Sequence, residues 1–140
     1  MIDDEAPIRL LCRVNLEDDG IEVIEAVDGL SGVEAAQREL PDLITLNVNM
    51  PAFFGWEVAE RLRDDIRTAH IPVVFLTARA RKSERLRGLE LGAVDYITKP
   101  FNPLELAPRI RELVERIARG EREQLRREKL AEFSALPDDD

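Results

Sequence analysis

The chain has 140 residues, of which 44% are hydrophobic and 35% charged, and its 29 acidic against 20 basic side chains give a formal net charge of −9. That length suits one domain with one core, and the apolar share with charges of both signs excludes a disordered chain. The acidic balance excludes a chain that binds nucleic acid by itself, because such binding begins with a basic footprint. Apolar runs such as 72–76 are too short to span a bilayer. The start, Met1-Ile2-Asp3-Asp4-Glu5, lacks the basic and apolar regions of a secretory signal, so the expected location is cytoplasmic. A single cysteine, Cys12, excludes an internal disulfide and reads as buried filler in an apolar helical pattern.

In chain order, Ile8, Leu11, Cys12 and Leu16 recur at helical spacing, and Asp18-Asp19-Gly20 supplies the turn that ends this helix. Residues 21–26 alternate roughly between apolar and acidic, the period of a half-buried strand. Ser31 and Glu34 form a capping-box signal for a helix running to Leu40, closed by Pro41. The nearly continuous apolar runs 43–48 and 71–76 predict strands covered on both faces, as a parallel sheet requires. Helical patterns lie at 56–63 and 84–91, the latter stopped by Gly92, and 94–98 is a shorter strand. The last helix opens at Asn102-Pro103, a cap followed by proline at the first position, and is long enough to pass Lys129.

Repeated strand–helix–strand units predict a doubly wound α/β fold, in which chemistry gathers at the carboxyl ends of the strands. Asn47, Thr77 and Lys99 each fall at such an end, alongside the acidic pair Asp3-Asp4.

The pieces Asp3-Asp4-Glu5, Asn47-Val48-Asn49-Met50-Pro51 with Gly55, Thr77-Ala78 and the run from Gly92 to Phe101, which contains Lys99-Pro100, share one order and spacing. Over residues 3–117 they resemble the receiver domain of two-component response regulators. The resemblance implies a five-stranded parallel sheet in the order 2-1-3-4-5 wrapped by five helices. It also implies an oxygen-rich site for Mg²⁺ built from Asp3, Asp4, Asn47 and the carbonyl of Asn49. Lys99 and Thr77 would contact phosphoryl oxygens, Tyr96 would be the switch aromatic, and the peptide before Pro100 would be cis.

Two departures alter what the resemblance implies. Asn47 stands where the family has the phospho-accepting aspartate, and a neutral carboxamide lacks the nucleophilic lone pair that forms an acyl phosphate. It also brings one negative charge fewer to the ion, which weakens Mg²⁺. Secondly, only Met1-Ile2 precede the acidic pair, so the first strand is nearly absent and two inner sheet edges are expected to lie open.

Further features divide between function and packing. Arg79, Arg81, Lys82, Arg85 and Arg87 form a basic run that reads equally as a docking face for an acidic partner or as a solvated helix face. Ala52-Phe53-Phe54 form a partner patch at the site rim or pack beneath their loop. Gly120 costs about 1 kcal/mol against alanine in a helix interior and so offers a break there; beyond it the mixed-charge segment with Leu125, Leu130, Phe133 and Leu136 reads as a projecting solvated helix or a dimer seam, followed by an acidic tail. His70 reads as a turn residue before a strand.

The expected organisation is therefore a receiver-like domain over 1–119 and a C-terminal helical extension and tail over 120–140. The expected function is a stand-alone receiver-like module in two-component signalling, acting without aspartyl phosphorylation and so not as an enzyme. It would work by contact with a histidine kinase or a downstream effector, and could form a homodimer through the last strand and helix or through the extension. The alternative is a conventional Mg²⁺-dependent phospho-accepting receiver represented by an Asp-to-Asn or truncated variant. A DNA-binding regulator would need a further module after residue 140.

Overall fold

A computed structural model describes residues 1–50, 55–78 and 81–139. Among the described residues the elements follow in the order α1 (Ala6–Asp18), α2 (Gly29–Glu39), β1 (Ile44–Leu46), α3 (Gly55–Asp64), β2 (Val73–Thr77), α4 (Lys82–Glu90), β3 (Ala93–Thr98), α5 (Pro103–Ala118) and α6 (Arg122–Ser134). The strands form a parallel sheet in the order β1-β2-β3.

Alternation along β2 builds a layer on each face. Val73 and Phe75 join one core cluster with Val33 and Ala36 of α2 and Val58 and Leu62 of α3. Leu76 turns to the opposite face and packs with Cys12 and Leu16 of α1 and Leu106 and Ile110 of α5. All five residues of β2 are buried, which is why this run carries no polar alternation in the sequence. The expected doubly wound α/β architecture is therefore present, with the helices distributed over both faces of the sheet.

Its first two strands differ from expectation. Residues 21–26 form no strand; Ala26 alone makes a parallel bridge, to Ile2, and Ile2 also bridges in parallel to Leu46. Ile2 N–H donates to Thr45 O (2.9 Å), Asn47 N–H to Ile2 O (3.0 Å) and Asp3 N–H to Ala26 O (3.1 Å). The stub 1–3 thus lies between Ala26 and β1, the place that order 2-1-3-4-5 gives to a first strand. It closes both inner edges at their carboxyl ends. A strand exists only where a partner pairs with it, so the backbone of 21–24 stays irregular. There it lines a cavity of about 520 Å³ together with Leu16, Leu43 and Ile110.

Local signals account for the remaining boundaries. Asp28 rather than Ser31 caps α2: its carboxylate accepts from Ser31 N–H at 2.8 Å, which draws Gly29 and Leu30 into the first turn. Asn102 caps α5 through Leu104 N–H at 3.0 Å, with Pro103 next, as expected. That helix does not pass Lys129. It stops at Ala118, Gly120 adopts φ +81°, and α6 begins at Arg122. Instead of projecting, α6 folds back on β3 and α4, burying Leu125 and Phe133.

Candidate functional site

The carboxyl ends of the parallel segments meet at one point. Ile2, in its two bridges, delivers Asp3, which is 2% exposed; Asn47 follows β1 at 3%; Thr77 ends β2 at 0%. Lys99 follows β3, its N–H donating to Thr77 O at 2.7 Å, and the Lys99–Pro100 peptide is cis as the resemblance implied.

The side chains of Asp3, Asp4, Asn47 and Lys99 form one network. Asn47 Nδ2 donates to Asp3 Oδ1 (3.2 Å) and to Asp4 Oδ1 (3.1 Å), while Asn47 Oδ1 accepts from Asn49 N–H (3.1 Å). Only this orientation of the amide satisfies all three contacts, because the carboxylates can accept only and the backbone N–H can donate only. Lys99 Nζ donates to Asp3 Oδ2 at 2.8 Å and to Glu5 Oε2 at 3.5 Å. Asp3 also accepts from Glu5 N–H at 3.0 Å, and its carbonyl accepts from Arg9 at 2.8 Å. A buried carboxylate is tolerable only when paired and hydrogen-bonded. Here the neighbouring ammonium and the amide hydrogens meet that requirement.

Thr77 and Tyr96 stand apart from this network. Thr77 Oγ1 is buried and, among the described residues, has no hydrogen-bond partner, which leaves a hydroxyl available to a ligand oxygen. The Tyr96 ring is buried against Phe75 (5.8 Å between centroids), with the Arg85 guanidinium 5.5 Å above it.

Asp3, Asp4 and the Asn49 carbonyl are hard oxygen donors of the class that Mg²⁺ takes. The Asn47 NH₂ group, however, faces the same carboxylate oxygens and competes for them. Among the described residues no group of three or more His, Cys, Asp or Glu side chains is arranged to hold a metal.

Glu5 and Arg9 border the site but carried no role in the sequence reading, and neither did Asp95, which lies on β3 away from it. Asp95, 1% exposed, accepts from Arg109 Nε at 2.6 Å and pairs with Lys129 Nζ at 3.3 Å. The available signal was an acidic residue inside an apolar strand, which demands a cation from elsewhere. The basic run is largely engaged: Arg85 lies over the Tyr96 and Phe133 rings, Arg87 over Trp56 at 4.9 Å, and Lys82 meets Asp138 at 3.0 Å. Pro51, Ala52-Phe53-Phe54 and Arg79 lie outside the described residues. Cys12 is fully buried in the α1–α5 layer, and burial pushes its thiol up to about 11. His70 lies in the turn before β2, its carbonyl accepting from Arg122 at 2.6 Å.

An acidic pair, a lysine and a buried threonine at the carboxyl ends of a doubly wound parallel sheet define a switch module of the phosphoryl-receiver class. Residues 1–111 match the sequence profile of the response regulator receiver domain, and the chain belongs to that family of two-component signalling domains. It is similar to the phosphate regulon transcriptional regulatory protein PhoB of Escherichia coli, 44% identical over 84% of this chain and 52% of that one. Likeness extends to the DNA-binding dual master transcriptional regulator RpaA of Synechocystis, 44% identical over 85% of this chain and 49% of that one. The chain thus spans about half the length of these curated relatives. Among solved structures, the chemotaxis protein CheY4 of Vibrio cholerae is 32% identical with a TM-score of 0.75, covering 79% of this chain and 92% of that one. A putative response regulator from Chloroflexus aurantiacus is 31% identical with a TM-score of 0.76, covering 82% and 94%. No helix among the described residues is long and apolar enough to cross a membrane.

Proposed function

We propose that this receiver works without aspartyl phosphorylation, as a cytoplasmic interaction module for a histidine kinase or a downstream effector, with its site held in one neutralised arrangement. The observation that carries this reading is the Asn47 amide, which donates to both Asp3 and Asp4 and accepts from Asn49 N–H. In place of a nucleophile that would add a third negative charge, position 47 supplies hydrogens to the two already there. The amide nitrogen has its lone pair delocalised and does not attack phosphorus, so no acyl phosphate forms. Mg²⁺, which offsets charge on transferring phosphoryl oxygens, would be held by Asp3, Asp4 and the Asn49 carbonyl, with affinity lowered by the competing NH₂ group. In this reading Lys99 and Thr77 would be the groups to contact a phosphate-like anion, Lys99 on leaving Asp3.

The test is incubation with Mg²⁺ and acetyl phosphate followed by intact mass measurement. The expected result is no gain of mass on the parent chain and one acid-labile phosphoryl on Asn47→Asp. A phosphoryl on the parent chain would sink the reading and favour conventional phospho-acceptance. A second reading, the receiver half of a longer transcription regulator, is favoured by the names of the PhoB and RpaA relatives, which match over about half their length. It concerns what the module is joined to and leaves the chemistry at Asn47 unchanged.

A further inference from the structure

The start of α4 carries the wrong charge for the amino terminus of a helix. Its cap residue, Arg81, makes no side-chain capping bond, and Lys82 comes next, so two cations sit where the helix dipole favours an anion. Within the first turn Glu84 offsets part of this charge. The helix runs for nine residues with Gly88 among them, so little inside it compensates for a poor start.

An anion arrives from the far end of the chain. Phe133 is buried in the cluster of Phe75, Leu89 and Tyr96, and half-buried Leu136 packs against the same cluster, which leads residues 137–139 across to α4. Asp139 Oδ1 accepts from Lys82 N–H at 3.0 Å, and its Oδ2 accepts from Ser83 N–H at 3.4 Å and from the Ser83 hydroxyl. Asp138 Oδ1 meets Lys82 Nζ at 3.0 Å. The first turn of any helix leaves such N–H groups without an intrahelical acceptor. One carboxylate here serves two of them, the task of a capping residue, from 57 positions away in the chain. The Ser83 hydroxyl first, then the two backbone N–H groups and the Arg81 charge, hold the Asp139 carboxyl below its ordinary value.

We propose that Asp138-Asp139 is a strap that caps α4 in cis, so that the order of the first turn of α4, and through it the setting of Thr77, depends on where the tail lies. The connection to the site is short. Arg81 is four residues beyond Thr77, whose carbonyl accepts from Lys99 N–H at 2.7 Å. The Asp138 side chain is 93% exposed, so the strap is held by charge and hydrogen bonds rather than by burial and lifts without unfolding the core. Whatever engages the two carboxylates elsewhere leaves α4 with a basic, uncapped start. The strap needs nothing from phosphoryl chemistry at Asn47, so the two proposals stand or fall separately.

The test is residue-resolved amide exchange, followed in proton–nitrogen correlation spectra of the full chain. In Asp138→Asn/Asp139→Asn the Lys82 and Ser83 amides are expected to exchange about five-fold faster than in the parent chain, the factor for a capping bond of typical strength, while β2 amides keep their protection. An Arg81→Asp chain carries a capping carboxylate of its own, so neutralising its tail should leave those two amides unchanged. The Thr77 and Ala78 resonances should shift when the tail is neutralised in the parent chain, and those of α2 should not. Unchanged exchange of Lys82 and Ser83 after neutralisation would overturn the strap, as would an undiminished loss in the Arg81→Asp chain. Shifts confined to residues 81–83 would refute the link to Thr77.

Discussion

Replacing Asn47 by aspartate converts a donor between two carboxylates into a third carboxylate. Held at the observed 3.2 Å from buried Asp3, it would meet a repulsion of about 5 kcal/mol at an effective dielectric of about 20. Asp4 is exposed, so at 3.1 Å with water-like screening it adds only about 1 kcal/mol. Lys99 is already committed to Asp3 at 2.8 Å, and outward rotation of the new side chain recovers part of the sum. A net loss of about 3 kcal/mol remains, which for a chain of this size lowers Tm by about 10 °C. Calorimetric melts at pH 7.5 in EDTA and then in excess Mg²⁺ check this. The variant should melt lower than the parent chain in EDTA and recover most of the loss with Mg²⁺, since a cation bound only by the folded state stabilises by mass action. The parent chain should respond by about 2 °C or less, because its NH₂ group already serves the carboxylates. An equal Mg²⁺ response in both chains, or a variant that melts no lower in EDTA, would refute the reasoning.

Three further outcomes are expected. A Cβ at Gly55 would lie 2.6 Å from both Asn47 O and Val48 Cα, backbone atoms that cannot yield, so Gly55→Ala should cost about 3 kcal/mol in urea unfolding. Burial lowers the Met1 amine from 8.0 to about 6, against opposing contributions from Glu25, Cys12 and Asp3, while the amine donates to Ile24 O at 2.8 Å. The unfolded chain therefore takes up this proton first as pH falls, and stability drops by about 2 kcal/mol from pH 8 to pH 6. Denaturant titrations across that range should show the slope, and Nα-acetylation should remove it. Cys12, buried and held protonated up to about 11, should react with an aromatic disulfide reagent at pH 8 only as fast as the chain opens, and at once in denaturant.

Much of the architecture was legible because burial leaves a periodic trace. The continuous apolar run at 71–76 belongs to a strand covered on both faces, and Asn102-Pro103 marks a helix start by a local hydrogen bond that any reader of the sequence can anticipate. The site residues were legible for a similar reason. Asp3, Asn47, Thr77 and Lys99 are polar groups at the ends of apolar runs, and a doubly wound sheet brings such ends together.

Three features were decided only in three dimensions. Residues 21–26 have a strand's alternation, yet pairing needs a neighbour, and the neighbouring stub offers hydrogen bonds to Ala26 and Ile24 alone. The Asn47 substitution was plain in the sequence. That its amide would point its hydrogens at both carboxylates follows from where Asn49 N–H and Lys99 sit around it. The charged stretch after Gly120 gave equal reason to project or to pair, since Leu125, Leu130 and Phe133 among mostly charged residues specify no partner. Its place on β3 was set by the apolar clusters that receive Leu125 and Phe133 and by the Asp95–Arg109 pair that Lys129 joins, which exist only once the sheet has formed. Sequence fixes which groups need burial or a counter-charge, whereas the fold decides which surface provides them, because that choice depends on residues far apart in the chain.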